Sequence, residues 1–181
     1  MVYKFLLLSD EVEDFRREIE IDADATFLQF HEAIQKCAGY TQKEITSFFI
    51  CNEAWEKEQE ILLFDMGASS DEDTYLMSET RLSDLISDKG QRLLYVFDNL
   101  NERSFFVELK KITTGSDLAE PVCTLSKGKA PAQTVDMEAF ANKISTDIDP
   151  EFYGGDDFDP DEIDEEGFGN MSFDENGNEV Y

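Results

Sequence analysis

The chain holds a single histidine, His31, three cysteines, Cys37, Cys51 and Cys123, and 42 acidic side chains, so the chemistry open to it is narrow. Nucleophilic catalysis needs a base within hydrogen-bond reach of the nucleophile, and His31 is the one imidazole available. It stands beside the apolar stripe of a predicted helix, which puts it at the edge of that face rather than in a site. A closed structural zinc centre takes four Cys or His ligands, and three scattered cysteines with one histidine match no such spacing. The odd, widely spaced cysteines write no disulfide framework either. Cys37 and Cys51 therefore read as small buried hydrophobes, and a reducing compartment is the expectation. Gly154-Gly155 and Gly167-x-Gly169 lack the preceding strand and following helix of a phosphate loop. Asp98, Glu102 and Asp65 are the carboxylates on which a metal-assisted hydrolase would rest, and nothing in the sequence draws them together. No cofactor is expected.

The last 38 residues hold more information. Residues 144–181 carry 14 acidic side chains and no Lys or Arg, while 28 acidic and 15 basic residues precede them. Within this run Asp157, Asp159 and Asp161, and later Asp174, Asn176 and Asn178, alternate oxygen ligands as calcium loops do. The loop glycine is replaced by Glu162 and Glu179, however, and Phe168 stands where the first loop needs its bidentate glutamate, so a specific calcium site does not follow. What a purely solubilising tail has no need of is its aromatics: Phe152, Tyr153, Phe158, Phe168, Phe173 and Tyr181 punctuate the acidic run. A disordered segment with apolar anchors in a negative field suits docking on a basic, apolar-grooved protein, folding as it binds. A solvated tail without a partner and a tail docked on its own domain are the alternatives; Asn176-Gly177 carries a hairpin signal that favours some local structure.

The elements that would carry these groups follow from periodicity. Tyr3 to Leu8 and Phe15 to Ile21 are short strands around the polar Ser9 to Asp14, with Phe15, Arg17, Ile19 and Ile21 on one face. Phe27, Phe30, Ile34 and Cys37 then recur at helical spacing, with Asp24 or Thr26 as N-cap and Gly39 as the left-handed stop, which predicts a helix over 26–38. Ile45 to Cys51 and Ile61 to Met66 read as strands, with Ala54 to Glu60 a hairpin tip or a short helix. Trp55, among charged neighbours, is open to both core and surface readings. Arg81 to Ser87 suits one or two helical turns, and Gln91 to Asp98 with Arg103 to Ile112 forms the clearest hairpin. The pattern is α+β: a mostly antiparallel sheet with one main helix packed on a face, β-grasp-like, followed by a disordered acidic tail. Its expected divisions are a domain over 1–112, a linker or loosely attached segment over 113–143 and the tail over 144–181.

Several stretches carry a resemblance: Phe15-Arg16-Arg17-Glu18-Ile19, Ala38-Gly39-Tyr40, Thr80-Arg81-Leu82-Ser83-Asp84-Leu85, Leu94-Tyr95-Val96-Phe97-Asp98 and Val107-Glu108-Leu109-Lys110-Lys111-Ile112. In that order the chain resembles the plasmid pRiA4b ORF-three-like family over about residues 1 to 125. The resemblance implies a compact α+β domain and brings no established activity. Family members follow the strand ending at Asp98 with an Asp-Phe-Gly-Asp-Asp-Trp-Arg-His type of stretch, whereas Arg103 and Phe105 occupy the Trp and His positions here. The Cys- and Gly-rich segment that often follows is reduced to Cys123-Thr124-Leu125-Ser126-Lys127-Gly128, so Asp98 alone carries over.

A net charge of −27 opposes binding to bare nucleic acid or an anionic membrane, and no apolar run approaches the roughly 18 residues of a membrane span. The expectation is a cytoplasmic, non-enzymatic interaction module that engages a basic protein through its tail. An acidic mimic of nucleic acid is the first alternative, and the carboxylate hydrolase the second.

Overall fold

The computed structural model describes residues 1–41, 43–65 and 74–135. Among these residues eight strands and two helices succeed one another: β1 (Val2–Leu8), β2 (Arg16–Asp22), α1 (Phe27–Ala38), β3 (Ser47–Cys51), β4 (Lys57–Leu62), β5 (Thr74–Leu76), α2 (Leu82–Leu85), β6 (Arg92–Asp98), β7 (Arg103–Thr113) and β8 (Val122–Lys127). They form one sheet in the order β5-β4-β3-β6-β7-β1-β2-β8, antiparallel at every pairing except β4 with β5. The fold class is α+β.

The alternation in β2 acts as expected. Arg17, Ile19 and Ile21 are buried, as is Phe15 just before the strand, while Arg16 is exposed and Glu18 and Glu20 are half-buried. Helix α1 begins at Thr26, whose hydroxyl accepts the Gln29 N–H at 3.2 Å while the Gln29 side chain accepts the Thr26 N–H at 2.9 Å. This reciprocal box satisfies two donors that a helix start leaves open. The helix ends at Gly39, with φ 74°, a conformation that costs residues with a Cβ about 1 kcal/mol.

Phe27, Phe30 and Ile34 of α1 press on one face of the sheet. Phe30 lies 4.6 Å from Phe5 and stacks on Phe48 at 5.4 Å; Phe105 stacks on Phe15 and packs against Phe97 at 4.6 and 4.7 Å between ring centroids. The opposite face carries a smaller apolar row, because the register sets Leu94 between Phe106 and Phe49. Trp55 joins that row: its ring meets Phe106 edge-on at 4.9 Å and the Arg92 guanidinium lies over it.

Three elements differ from the sequence reading. β4 covers Lys57–Leu62, earlier than the expected 61–66, and β5 pairs alongside it. β8 lies within the 113–143 stretch and pairs with β2. Backbone pairing defines β8, which is exposed along its whole length and presents no buried face.

Candidate functional site

Arg103 opens β7 immediately after Glu102, whose φ of 52° turns the chain tightly into the strand. Its guanidinium donates Nε and Nη2 to the two carboxylate oxygens of Glu11 at 2.9 and 2.8 Å. Nη2 also donates to the Ala132 carbonyl at 2.6 Å, Nη1 donates to the Gln133 carbonyl at 3.3 Å and to Asp98 Oδ2 at 3.5 Å, and the plane covers Phe97 at 4.9 Å. The forked ion pair with Glu11 raises the guanidinium above its ordinary value. Burial opposes ionisation of Asp98, yet hydrogen bonds from Asn101 and Arg103 hold its carboxyl below the usual carboxylate range. Asp98 is thus a structural anion locked into the β6–β7 turn. Among the described residues, which include Asp65, Asp98 and Glu102, no group of three or more His, Cys, Asp or Glu gathers where a metal ion could be held.

The carbonyls that Arg103 captures belong to a strap, residues 129–133, that runs past the end of α1. Tyr40 donates its hydroxyl to the Pro131 carbonyl at 2.8 Å, and its phenol is pushed up by burial. Gln133 accepts from the Thr41 N–H at 2.8 Å and donates to the Thr41 carbonyl at 2.6 Å. A groove of about 540 Å³ lies here between Val12, the Ala38–Tyr40 corner and the strap. A second, more polar hollow of about 470 Å³ lies between Cys51–Glu53 and the Ser87–Arg92 loop. Cys51 is buried and free, and burial raises its thiol, which leaves it a poor nucleophile.

Arg17 organises the other end of the strap. Nε donates to the Cys37 carbonyl at 3.0 Å, Nη1 to Arg16 and Lys127 carbonyls at 3.0 and 2.5 Å, and Nη2 to the Gly128 carbonyl at 2.9 Å, with Phe15 beneath the plane. The side chain therefore caps the C-terminal end of α1, where a cation suits the helix dipole, while it ties β8 to β2. Alongside, Cys37 and Cys123 form a disulfide with Cα atoms 6.1 Å apart. This corrects the expectation that the cysteines form no disulfide and that Cys37 is an unpaired small hydrophobe, and with it the cysteine argument for a reducing compartment: the two residues, 86 apart in sequence, meet because β8 returns beside β2 and α1.

His31 is also corrected. It is 3% exposed, not at the edge of the helix face, and its Nδ1 lies 2.9 Å from the Tyr95 hydroxyl and 3.2 Å from Thr46 Oγ1. Gln35 Nε2 donates to the same Tyr95 oxygen, so the phenol's hydrogen is free to meet Nδ1 of a neutral ring. Burial lowers the imidazole to about 4, and the ring is shut away from solvent as a core polar group. The tail anchors Phe152, Tyr153, Phe158, Phe168, Phe173 and Tyr181 lie outside the described residues. Neither arginine cluster was singled out from sequence; the one available signal was the basic residue at a core-facing position of β2.

The family model for plasmid pRiA4b ORF-3-like proteins matches residues 5–167. The chain belongs to this family. The match extends well past residue 125, where the sequence resemblance faded, and takes in Phe152, Tyr153 and Phe158. Among solved structures, the chain is similar to a protein of unknown function, MM3350, from Methanosarcina mazei Go1, with a TM-score of 0.57 and 22% identity over 88% of this chain and 92% of that one. That likeness concerns the fold. No curated protein matches the chain.

Proposed function

We propose that this protein is a cytoplasmic, non-enzymatic interaction module: a β-grasp-like α+β body bearing an acidic, aromatic C-terminal segment that binds a basic protein with an apolar groove. The observation that carries this reading is the pairing of 14 acidic side chains, uncompensated by any Lys or Arg, with six interspersed aromatics over residues 144–181. Charge of one sign accelerates encounter with an oppositely charged partner, and aromatic anchors supply the desolvated contacts from which affinity mainly comes. Part of the acidic stretch, up to residue 167, lies within the length that the family model matches. Within the body, Asp98 and Arg103 are engaged in holding turns and strap, and His31 in the core. No described helix is long and apolar enough to cross a membrane.

The test is titration of the full chain against two labelled basic peptides of equal charge, one an amphipathic helix with an apolar face and one without. Wild type should bind the amphipathic peptide at least tenfold more tightly. A full-length variant with the six tail aromatics changed to Ser should lose that preference. Equal affinity for both peptides, retained by the Ser variant and falling steeply with salt, would replace this reading by that of an acidic nucleic-acid mimic.

A further inference from the structure

The Cys37–Cys123 bond sits where a covalent tie has a mechanical consequence. It joins the last turn of α1 to the outermost strand of the sheet, and each of the six residues of β8 is exposed, Cys123 among them. Only β2 pairs with β8 among the described strands, and the β2–β8 register shifts between Glu18 and Ile19, next to the bonded cysteine. The last residue of β8 and the segment beyond are also held noncovalently: Arg17 on the Lys127 and Gly128 carbonyls, Tyr40 on Pro131, and Arg103 on Ala132. The C-terminal end of β8 is thus held to α1 through Arg17, which reaches both the Cys37 and Lys127 carbonyls, while at Cys123 the disulfide is the covalent tie between the exposed strand and the helix.

We propose that Cys37–Cys123 is a thiol-exchange site, open to small dithiols and to dithiol proteins, whose reduction loosens β8 from the folded body. The thiolate of the incoming dithiol attacks Cys123 Sγ on the exposed strand; the Cys37–Cys123 bond breaks and Cys37 leaves as thiolate. The reductant's second thiolate then attacks the mixed disulfide, giving a cyclic or paired disulfide and Cys123 thiolate, and the two thiolates take up protons. Two electrons pass from the dithiol to the protein, and no other co-reactant is needed. Loss of the tie removes the loop constraint on the chain between Cys37 and Cys123 and leaves β8 with its pairing to β2, the Thr124 hydroxyl on the Glu18 carbonyl and the Arg17 clamp. Opening of β8 turns β2 into a free sheet edge, the kind of surface that accepts an added strand. This inference is independent of the proposed tail function.

The experiment uses the full chain, purified without reductant and equilibrated in oxidised glutathione. Alkylation after denaturation should label one cysteine, Cys51, and three after brief treatment of the native protein with dithiothreitol. Amide exchange should then show protection at Val122–Lys127 falling at least tenfold on reduction, with β1, β6 and β7 unchanged. A Cys37→Ser, Cys123→Ser double variant should reproduce the reduced pattern and ignore dithiothreitol. Three labelled cysteines in the oxidised sample, reduction only under unfolding conditions, or identical protection at β8 in both states would each overturn the proposal.

Discussion

Arg17 gives its four hydrogen bonds to backbone carbonyls alone and has no carboxylate among them, so its worth lies in geometry rather than in charge neutralisation. A lysine, with one compact ammonium, cannot span carbonyls of three chain segments. Arg17→Lys is expected to lower unfolding stability by about 1 to 2 kcal/mol, read from urea melts, because several part-buried carbonyls lose their donor while the cation itself stays in a buried position. His31 makes the opposite kind of prediction. Its folded pKa of about 4 lies below the ordinary 6.5, so between these values the unfolded chain binds the proton and the folded one does not. Stability contributed by the neutral ring is complete above pH 6.5 and is lost as pH falls toward 4. Wild type should lose about 2 kcal/mol more than His31→Gln between pH 7 and pH 5, from that shift. Parallel urea midpoints for the two proteins across this range would contradict the assignment of a neutral buried imidazole.

Elements divide by how their pairing is written. The Phe15, Arg17, Ile19, Ile21 alternation and the Phe27, Phe30, Ile34 stripe announce β2 and α1, because each buries one face against a common core and period alone records it. Thr26 and Gly39 mark the helix ends through local hydrogen bonds and backbone conformation, both of which are properties of a few adjacent residues. β4 was displaced because Lys57-Glu58-Gln59-Glu60 is charged and carries little apolar signal, while Phe48 opposite Ile61 and Ile50 opposite Gln59 settle its register through tertiary pairing. β8, the Cys37–Cys123 bond and the Arg103 network were illegible for one reason: each joins segments far apart in sequence, and none leaves a period or motif. Gly128 shows how tightly such a return can be specified. With φ 71°, a Cβ there would stand 2.3 Å from the Asp14 carbonyl oxygen. Gly128→Ala should therefore force the β8 exit away from the Ser9–Asp14 loop, costing at least about 1 kcal/mol and exposing the 122–133 stretch to limited proteolysis. Wild-type stability and an unchanged cleavage pattern would contradict this account of the exit.

At the scale of the whole molecule, charge is the dominant property. The −27 is split almost evenly between a body of 143 residues and a run of 38, so charge per residue is far higher in the C-terminal run. The family model reaches residue 167, which takes in the run as far as Gly167 and ends before Phe168, Phe173 and Tyr181. The body, in turn, presents polar groups that are spent on cohesion: Arg17, Arg103, Asp98 and Tyr95 each hold segments together. The most direct measurement is amide exchange on the full chain with and without saturating amphipathic basic peptide. New protection is expected within residues 144–181, centred on Phe152 to Phe173, with an unchanged pattern across β1 to β7. Protection that appears on the sheet while the C-terminal run stays unaffected would contradict recognition through that run, and would move it to the folded body.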